Sequence, residues 1–238
     1  MKKNMLKEHI EKLGLEVSDR QLDQFLTYET LLVEWNKNMN LTGITESEAI
    51  YDKHFADSLT CVLSHKIKDG DKLIDVGTGA GFPGMPLKIF MPSLDVTLLD
   101  SLNKRINFLK EVSVEADLNN ITFIHGRAED YGKNLDFREQ YDIVVSRAVA
   151  DLSILAEYCL PFVKIGGYFI SQKSKKVNEE VESADKALEV LGGKVEKIIP
   201  IKVPNLDAER YLVVIKKIKE TPEKYPRRSG MPQKKPIA

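Results

Sequence analysis

The stretch Leu73-Ile74-Asp75-Val76-Gly77-Thr78-Gly79-Ala80-Gly81-Phe82-Pro83 runs from a short apolar segment into three glycines at alternate positions. Glycine permits a sharp backbone turn there and lets a ligand lie against bare main chain. A helical pattern follows, and a second apolar segment then ends in Asp100, nineteen residues after Gly81. An acid at this place can bind a ribose diol through its hydroxyls. The order of strand, glycines, helix, strand and acid predicts a site for a nucleotide-like ligand.

Apolar segments and helical patterns continue to alternate along the chain beyond this turn. The predicted strands are Lys72–Val76, Asp95–Leu99, Ile121–Ile124, Asp142–Ser146, Gly167–Gln172, Lys194–Pro200 and Arg210–Lys217. The predicted helices between them are Pro83–Met91, Leu102–Asp117, Leu152–Val163 and Asn178–Leu191. This alternation is typical of a parallel, doubly wound α/β sheet. The last two strands are separated only by Pro204-Asn205-Leu206-Asp207, which predicts an antiparallel hairpin at the sheet edge.

The sequence divides into three regions. Residues 1–68 predict a helical extension, because apolar residues recur at three- and four-residue steps from Leu22 to Trp35, behind a capping box formed by Ser18 and Gln21. A second helix is predicted from about Glu46 to His65. Residues 69–219 form the sheet domain. Residues 220–238 form a basic, proline-rich tail that is predicted to be extended and weakly ordered.

Two readings of the glycine turn compete. Residues 79–84 match G-x-G-x-x-G, the fingerprint of a dinucleotide-dependent oxidoreductase. Against this, the Asp75 carboxylate would repel a pyrophosphate, whereas it suits a ligand that carries an ammonium and a sulfonium. Pro83 and Pro86 also remove backbone N–H groups that a pyrophosphate would use. The pattern therefore favours S-adenosylmethionine, and it resembles the first motif of class I methyltransferases.

Composition excludes several other classes of protein. The 238 residues contain no apolar run near the roughly 20 residues of a membrane helix. A secretory signal is not expected, because the first nine residues have no continuous apolar segment and no small-residue cleavage site. Cys61 and Cys159 form no CxxC pair, and the four histidines show no metal-ligand spacing. The sequence therefore predicts a reduced, cytoplasmic, metal-free protein with no membrane contact.

The charge of the chain is distributed unevenly. Lys and Arg total 35 against 36 Asp and Glu, so the formal net charge is -1. Residues 216–238 nevertheless carry eight basic and two acidic side chains, a net charge of +6 that leaves -7 for the other residues. This distribution excludes a uniformly basic RNA-binding protein but allows one with localised positive charge.

The fourth predicted strand ends in Ser146-Arg147-Ala148-Val149-Ala150. It lacks the Asn/Asp-Pro-Pro-aromatic motif of enzymes that methylate exocyclic amines. Neither cysteine lies in the Pro-Cys context of C5-pyrimidine enzymes. Methylation of guanine N7 requires neither that motif nor a nucleophilic cysteine. The in-plane lone pair of N7 can attack the sulfonium methyl without a general base. The sequence is compatible with that acceptor.

Several blocks in fixed order resemble one family. They are Leu31–Thr42, Lys53–Ser58, Asp75–Pro83, Asp100–Arg105, Arg127–Glu129, Arg147–Ala150 and Thr221–Arg228. Together they are similar to the bacterial ribosomal RNA small subunit methyltransferase G family, also called glucose-inhibited division protein B, over essentially the whole chain. The resemblance implies a class I, Rossmann-like methyltransferase with a mostly parallel seven-stranded sheet. It also implies S-adenosylmethionine-dependent methylation of N7 of one guanosine in 16S ribosomal RNA, or in the small ribosomal subunit.

The resemblance also implies site residues. Cofactor contacts are expected at Gly77, Phe82, Ala128, Glu129 and Arg147. The glycine turn itself adds Asp75, Gly79 and Gly81, and the fold adds Asp100 as the ribose ligand. No catalytic base is expected, and Arg147 and Lys173 are the candidates for positioning the reactants. Relatives commonly read Ala-Leu-Lys where this chain reads Ser171-Gln172-Lys173.

Candidates for contact with RNA lie on all three regions. They are Asn36, Asn40, Lys53, His54, Lys173, Arg227 and Arg228. Local roles compete for some of them, since the two asparagines can cap a helix end and the histidine can be satisfied within its own helix. A non-enzymatic RNA-binding assembly factor of the same fold is a further alternative to a methyltransferase.

Overall fold

The structure is a computed structural model that describes residues 1–203 and 205–237. Its strands are β1 Lys72–Val76, β2 Asp95–Asp100, β3 Ile121–His125, β4 Tyr141–Arg147, β5 Val163–Lys173, β6 Gly193–Ile201 and β7 Arg210–Lys217. They form a seven-stranded sheet in the order β3-β2-β1-β4-β5-β7-β6. β1 to β5 pair in parallel, and β7 pairs antiparallel with both β5 and β6. The predicted edge hairpin is confirmed; Pro204 of its connection lies outside the described residues.

Helices pack on both faces of this sheet. They are α1 Lys2–Glu11, α2 Asp19–Met39, α3 Ser47–Ile50, α4 Asp57–Leu59, α5 Gly84–Phe90, α6 Asn103–Glu115, α7 Ala128–Tyr131, α8 Leu152–Cys159, α9 Val177–Leu191 and α10 Met231–Lys234. Successive residues of a strand point to opposite faces, so Leu73 joins the core beneath α1, α2, α5 and α6, whereas Ile74 joins the core beneath α8 and α9. This arrangement is the doubly wound α/β fold predicted from the sequence.

The segment predicted as one helix from about Glu46 to His65 is helical but irregular. Between α3 and α4 it winds as a π-helix over Tyr51–Ala56, and after α4 it tightens to a 3₁₀-helix over Thr60–Ser64. It ends at His65 in the left-handed conformation, with φ of 55°. Irregular turns of this kind re-aim side chains and are frequent at functional sites.

The helical extension shares a core with the sheet domain. The Tyr28 side chain is fully buried, and its hydroxyl donates to the carbonyl of Ala80 in the glycine turn. Gln21 donates to the carbonyls of Ile89 and Phe90 at 3.1 and 2.8 Å. The predicted boundary at residue 68 therefore marks a change in secondary structure and not a separate core.

The expectation of an extended, weakly ordered tail is wrong for the described part of residues 220–238; Ala238 lies outside it. Arg138 donates to the carbonyls of Thr221 and Tyr225 at 2.6 and 2.8 Å, and Arg227 pairs with the buried Glu157 at 2.6 Å. The segment then ends in α10. We call residues 221–234 the C-terminal strap. Prolines prevent long regular elements there, but buried polar groups of the sheet domain supply the strap with specific partners.

Candidate active site

The glycine turn follows β1 directly. Gly77, Gly79 and Gly81 have φ of 72°, 62° and 101°, in the left-handed region that favours glycine. A Cβ on Gly77 would lie 2.7 Å from a methyl group of Val149. The N–H groups of Gly77 and Thr78 donate to the carbonyl of Leu99 at 2.9 and 3.1 Å, which anchors the turn to the end of β2.

Asp75 differs from its expected role. The carboxylate is fully buried beneath the turn and does not line the adjoining cavity. Its Oδ2 accepts from the Thr78 hydroxyl at 2.7 Å and from the Gly84 N–H at 2.8 Å. Burial raises the pKa of Asp75 to about 6, against the lowering effect of these two hydrogen bonds. In this structure Asp75 braces the turn from beneath.

Asp100 lies where the sequence predicts it, at the end of β2 and beside the glycines. Its Oδ2 accepts from the Gly79 N–H at 2.8 Å, and its Oδ1 accepts from the Leu102 N–H at 2.9 Å. Arg105 approaches the same carboxylate at 3.3 Å. The Asp100 side chain and the glycine turn line the same cavity, which is described next, so they form one site.

A first cavity of about 510 Å³ opens at the carboxyl ends of β1, β2 and β4. Ligands bind at this edge in open α/β sheets, and the volume suits a nucleotide-sized molecule. Of the predicted cofactor residues, the cavity brings together Gly77, Gly79, Phe82, Asp100, Ala128, Glu129 and Arg147. Gly81 does not line it. A Cβ on Gly81 would meet the Tyr28 hydroxyl and Leu109, so this glycine serves the packing of the turn.

A second cavity of about 770 Å³ adjoins the first. The two share lining residues, namely His54, Arg147, Ala148, Val149, Ala150 and Gln233. Lys53 and Lys173, both predicted to contact RNA, also line the second cavity. Two molecules bound in these cavities would meet at Arg147.

Arg147 is held by a buried carboxylate. Its guanidinium lies 2.7 Å from Asp57 Oδ2 and 5.1 Å from the centre of the Phe82 ring. The other oxygen of Asp57 accepts from Arg210 Nε at 3.2 Å. Sequence reasoning missed Arg210, which begins β7 and gives no local signal of its position. One carboxylate thus orients two guanidiniums at the second cavity.

The His54 side chain lies between Thr42 and Phe82 of the glycine turn. Its ring stacks on Phe82 with centroids 4.4 Å apart, and its Nε2 lies 2.7 Å from the Thr42 hydroxyl. Its Nδ1 is buried and has no hydrogen-bond partner. Burial, aided by the positive charge of Arg147, lowers the pKa of His54 to about 3. The imidazole is therefore neutral at neutral pH.

The low pKa of His54 makes stability depend on pH. In the unfolded chain a histidine has a pKa near 6.5, so between about pH 3 and pH 6.5 only the unfolded chain takes up this proton. The free energy of unfolding should therefore fall as pH drops through this window, by up to about 1.4 kcal/mol per pH unit from this group. Urea unfolding of His54→Gln should show a shallower pH dependence than the parent. His65→Gln, at an exposed histidine, serves as the control. Equal slopes in the parent and His54→Gln would contradict the assignment.

The other RNA candidates lie in different surroundings. Lys173 is buried, pairs with Glu180 at 2.6 Å and donates to the carbonyl of Ala150 at 2.9 Å. Asn36 accepts from the Thr42 N–H at 2.9 Å, and Asn40 caps α2 with φ of 47°. The Lys173 and Asn36 side chains thus have structural partners, whereas Asn40 acts through its backbone and is exposed.

The two tail arginines differ from each other. Arg227 donates through Nε and Nη2 to Glu157 at 2.9 and 2.6 Å, which corrects its expected role as a free RNA contact. Its positive charge is neutralised by a carboxylate that is only 1% exposed. Arg228 is exposed and remains a candidate.

Within residues 1–203 and 205–237, none of the helices is both long and apolar enough to cross a membrane. No group of three or more His, Cys, Asp or Glu side chains in this part of the chain is placed to hold a metal ion. Cys61 and Cys159 are free thiols, and both are buried, as small apolar side chains usually are.

Solved structures with a similar fold are methyltransferases and related proteins. M. jannaschii TYW2 in complex with AdoMet superposes with a TM-score of 0.52 at 16% identity, covering 68% of this chain and 77% of that one. Aeropyrum pernix fibrillarin with natively bound S-adenosyl-L-methionine gives a TM-score of 0.51 at 15% identity, covering 68% and 76%. At this level of identity the likeness concerns the fold, and it confirms the predicted class I methyltransferase architecture.

Sequence comparison is more specific. Residues 21–211 match the GidB family model, described as rRNA small subunit methyltransferase G. The ribosomal RNA small subunit methyltransferase G of Lachnoclostridium phytofermentans is 58% identical over 228 residues, covering 96% of this chain and 94% of the relative. That of Alkaliphilus oremlandii is 54% identical over 235 residues, covering 99% and 98%. With its glycine turn and paired cavities, the chain belongs to the rRNA small subunit methyltransferase G family.

Proposed function

We propose that this protein transfers the methyl group of S-adenosylmethionine to N7 of a guanosine in 16S ribosomal RNA, and that it acts in the cytoplasm, where that RNA is found. The observation that carries the proposal is the pair of contiguous cavities that meet at Arg147. A cofactor and an acceptor base bound in them would lie end to end, as a direct methyl transfer requires.

The first cavity fits the cofactor. The glycine turn offers bare main chain, and a side chain on Gly77 would collide with Val149 on the cavity wall. Asp100 lines this cavity, and a carboxylate there can accept from ribose hydroxyls. Ala128 and Glu129, where the resemblance implies cofactor contacts, line it as well. When bound, S-adenosylmethionine supplies an electrophilic methyl group on a sulfonium. The residues of the chain bind and orient it.

The second cavity fits the acceptor base. Guanine N7 carries a lone pair in the ring plane, so it needs no residue to remove a proton before it attacks the methyl group. The neighbouring side chains suit this requirement, because the lowered pKa of about 3 makes His54 a weak base and the Asp57 carboxylate is already paired with Arg147 and Arg210. Their contribution is to position the base and to exclude water from the reacting atoms.

Methyl transfer to a mapped base tests the proposal. The protein is incubated with labelled S-adenosylmethionine and with 16S RNA or small subunits from a strain that lacks it. We expect one labelled guanosine, with the label at N7. A label on another atom or another RNA would contradict the proposed acceptor. NADH binding without S-adenosylmethionine binding would indicate a dinucleotide enzyme, and RNA binding without either would indicate an assembly factor.

RNA binding is expected to depend on salt, because residues 216–238 carry a net charge of +6 and the lining of the second cavity adds a lysine, Lys53, that is exposed. About four phosphate contacts would give a slope of roughly -3 in a plot of log affinity against log salt, or about 60-fold weaker binding at 200 mM than at 50 mM. The exposed Lys53 lines the second cavity, so Lys53→Ala should make this slope shallower by about 0.7 to 1. Filter binding of 16S RNA measures both effects, with exposed Lys7→Ala on α1 as the control. A salt-independent affinity would contradict the proposed surface.

A further inference from the structure

The C-terminal strap reaches the candidate active site. Its Arg227 is anchored on Glu157 of α8, and the Gly230 N–H donates to Oε1 of Glu129 at 2.9 Å. Glu129 is the second residue of α7, the short helix after β3, and is only 4% exposed. The strap therefore contacts a residue that the family resemblance assigns to cofactor binding.

The anchoring at Gly230 determines where α10 begins. The helix starts at the next residue, Met231, and Pro232 is buried against the body of the protein. Gln233 follows, and its exposed side chain lines both cavities. In the first cavity it shares the wall with Ala128, Glu129 and Tyr158.

We propose that Gln233 is a further cofactor-binding residue, supplied by the C-terminal strap, that contacts the adenine ring of S-adenosylmethionine. The inference rests on the proposed function for the identity of the cofactor. A carboxamide presents one donor and one acceptor side by side, and adenine presents the matching pair at its N6 amino group and N7. Lysine and arginine, which fill much of the tail, can only donate. The Gln233 carboxamide thus offers both groups in the planar arrangement that this edge of adenine requires.

The test uses full-length protein without RNA. Isothermal calorimetry with S-adenosylhomocysteine, which has the same adenosine group, should show that Gln233→Ala weakens binding about fivefold, the usual effect of lost hydrogen bonds. A 7-deaza analogue of the same ligand lacks the N7 acceptor. It should bind the parent about threefold more weakly than S-adenosylhomocysteine, whereas Gln233→Ala should bind the two ligands equally.

Lys234→Ala is the matched control, because Lys234 is exposed on the same helix turn and lines neither cavity. It should bind S-adenosylhomocysteine as the parent does, and both variants should keep the melting temperature of the parent. Unchanged affinity in Gln233→Ala would overturn the proposal. So would a variant that keeps its cofactor affinity but needs more RNA for half-maximal rate, since Gln233 would then serve the acceptor. A parent protein that binds neither ligand would instead overturn the proposed function.

Discussion

Gly77→Asp is expected to abolish cofactor binding. The new Cβ would lie 2.7 Å from Val149, so Val149 must move and the carboxylate would project into the first cavity. It would also add negative charge beside the buried Asp75 and the cavity-lining Asp100. Loss of space together with repulsion should weaken S-adenosylmethionine binding by at least about 100-fold, or about 3 kcal/mol. Calorimetry measures the affinity, and methyl transfer should be lost with it.

The control for this variant is Gly14→Asp. Gly14 has φ of 76°, close to the 72° of Gly77, and a Cβ there would meet nothing within 4 Å. Gly14→Asp thus introduces the same side chain, at a similar backbone strain, in the loop after α1. Gly14→Asp should therefore keep the cofactor affinity of the parent. If Gly77→Asp bound the cofactor as tightly as Gly14→Asp does, the glycine turn could not be the binding site.

Arg227→Ala is expected to lower stability by about 3 kcal/mol. Removing the guanidinium leaves Glu157, which is 1% exposed, as a buried carboxylate without its cationic partner. The full cost of breaking a buried pair is reduced because the Arg227 side chain is 25% exposed. For a chain of this length the change corresponds to a melting temperature lower by roughly 6 to 12 °C. Calorimetric or fluorescence melting measures it.

The neighbouring arginine gives the control. Arg228→Ala removes the same charge from an exposed side chain of the same strap, and it should change stability by less than about 0.5 kcal/mol. Arg227→Lys keeps the positive charge but loses the bidentate contact with the carboxylate. Its loss of stability should therefore lie between those of Arg227→Ala and Arg228→Ala. Equal melting temperatures for Arg227→Ala and Arg228→Ala would show that the strap is not anchored through Glu157.

The sheet was largely predictable from the sequence because its signals are local. Short β-branched runs such as Lys72–Val76 and Arg210–Lys217 coincide with β1 and β7. β5 begins at Val163, earlier than the predicted Gly167, because the helical pattern before it obscures the change of element. The preceding helix ends with a 3₁₀ turn at Leu160–Phe162, so helix and strand follow each other without a loop.

Position in the chain predicted site residues most directly at the carboxyl ends of strands. Asp100 and Arg147 lie at such ends and line the first cavity. Arg210 lies 153 residues from Asp57, and Arg227 lies 70 residues from Glu157, so no local pattern announces either pair. The prediction of a weakly ordered tail was wrong for the same reason, because the order of the strap depends on buried groups that are distant in the sequence.

The position of the strap has a consequence for synthesis on the ribosome. The chain is made from its N-terminus, so β1 and the glycine turn leave the exit tunnel long before Gly230 and Gln233 do. Until those residues emerge, Glu129 lacks the amide that fixes its carboxylate, and the wall shared by both cavities is open. A partly synthesised chain can therefore build most of its sheet while its active site is still incomplete.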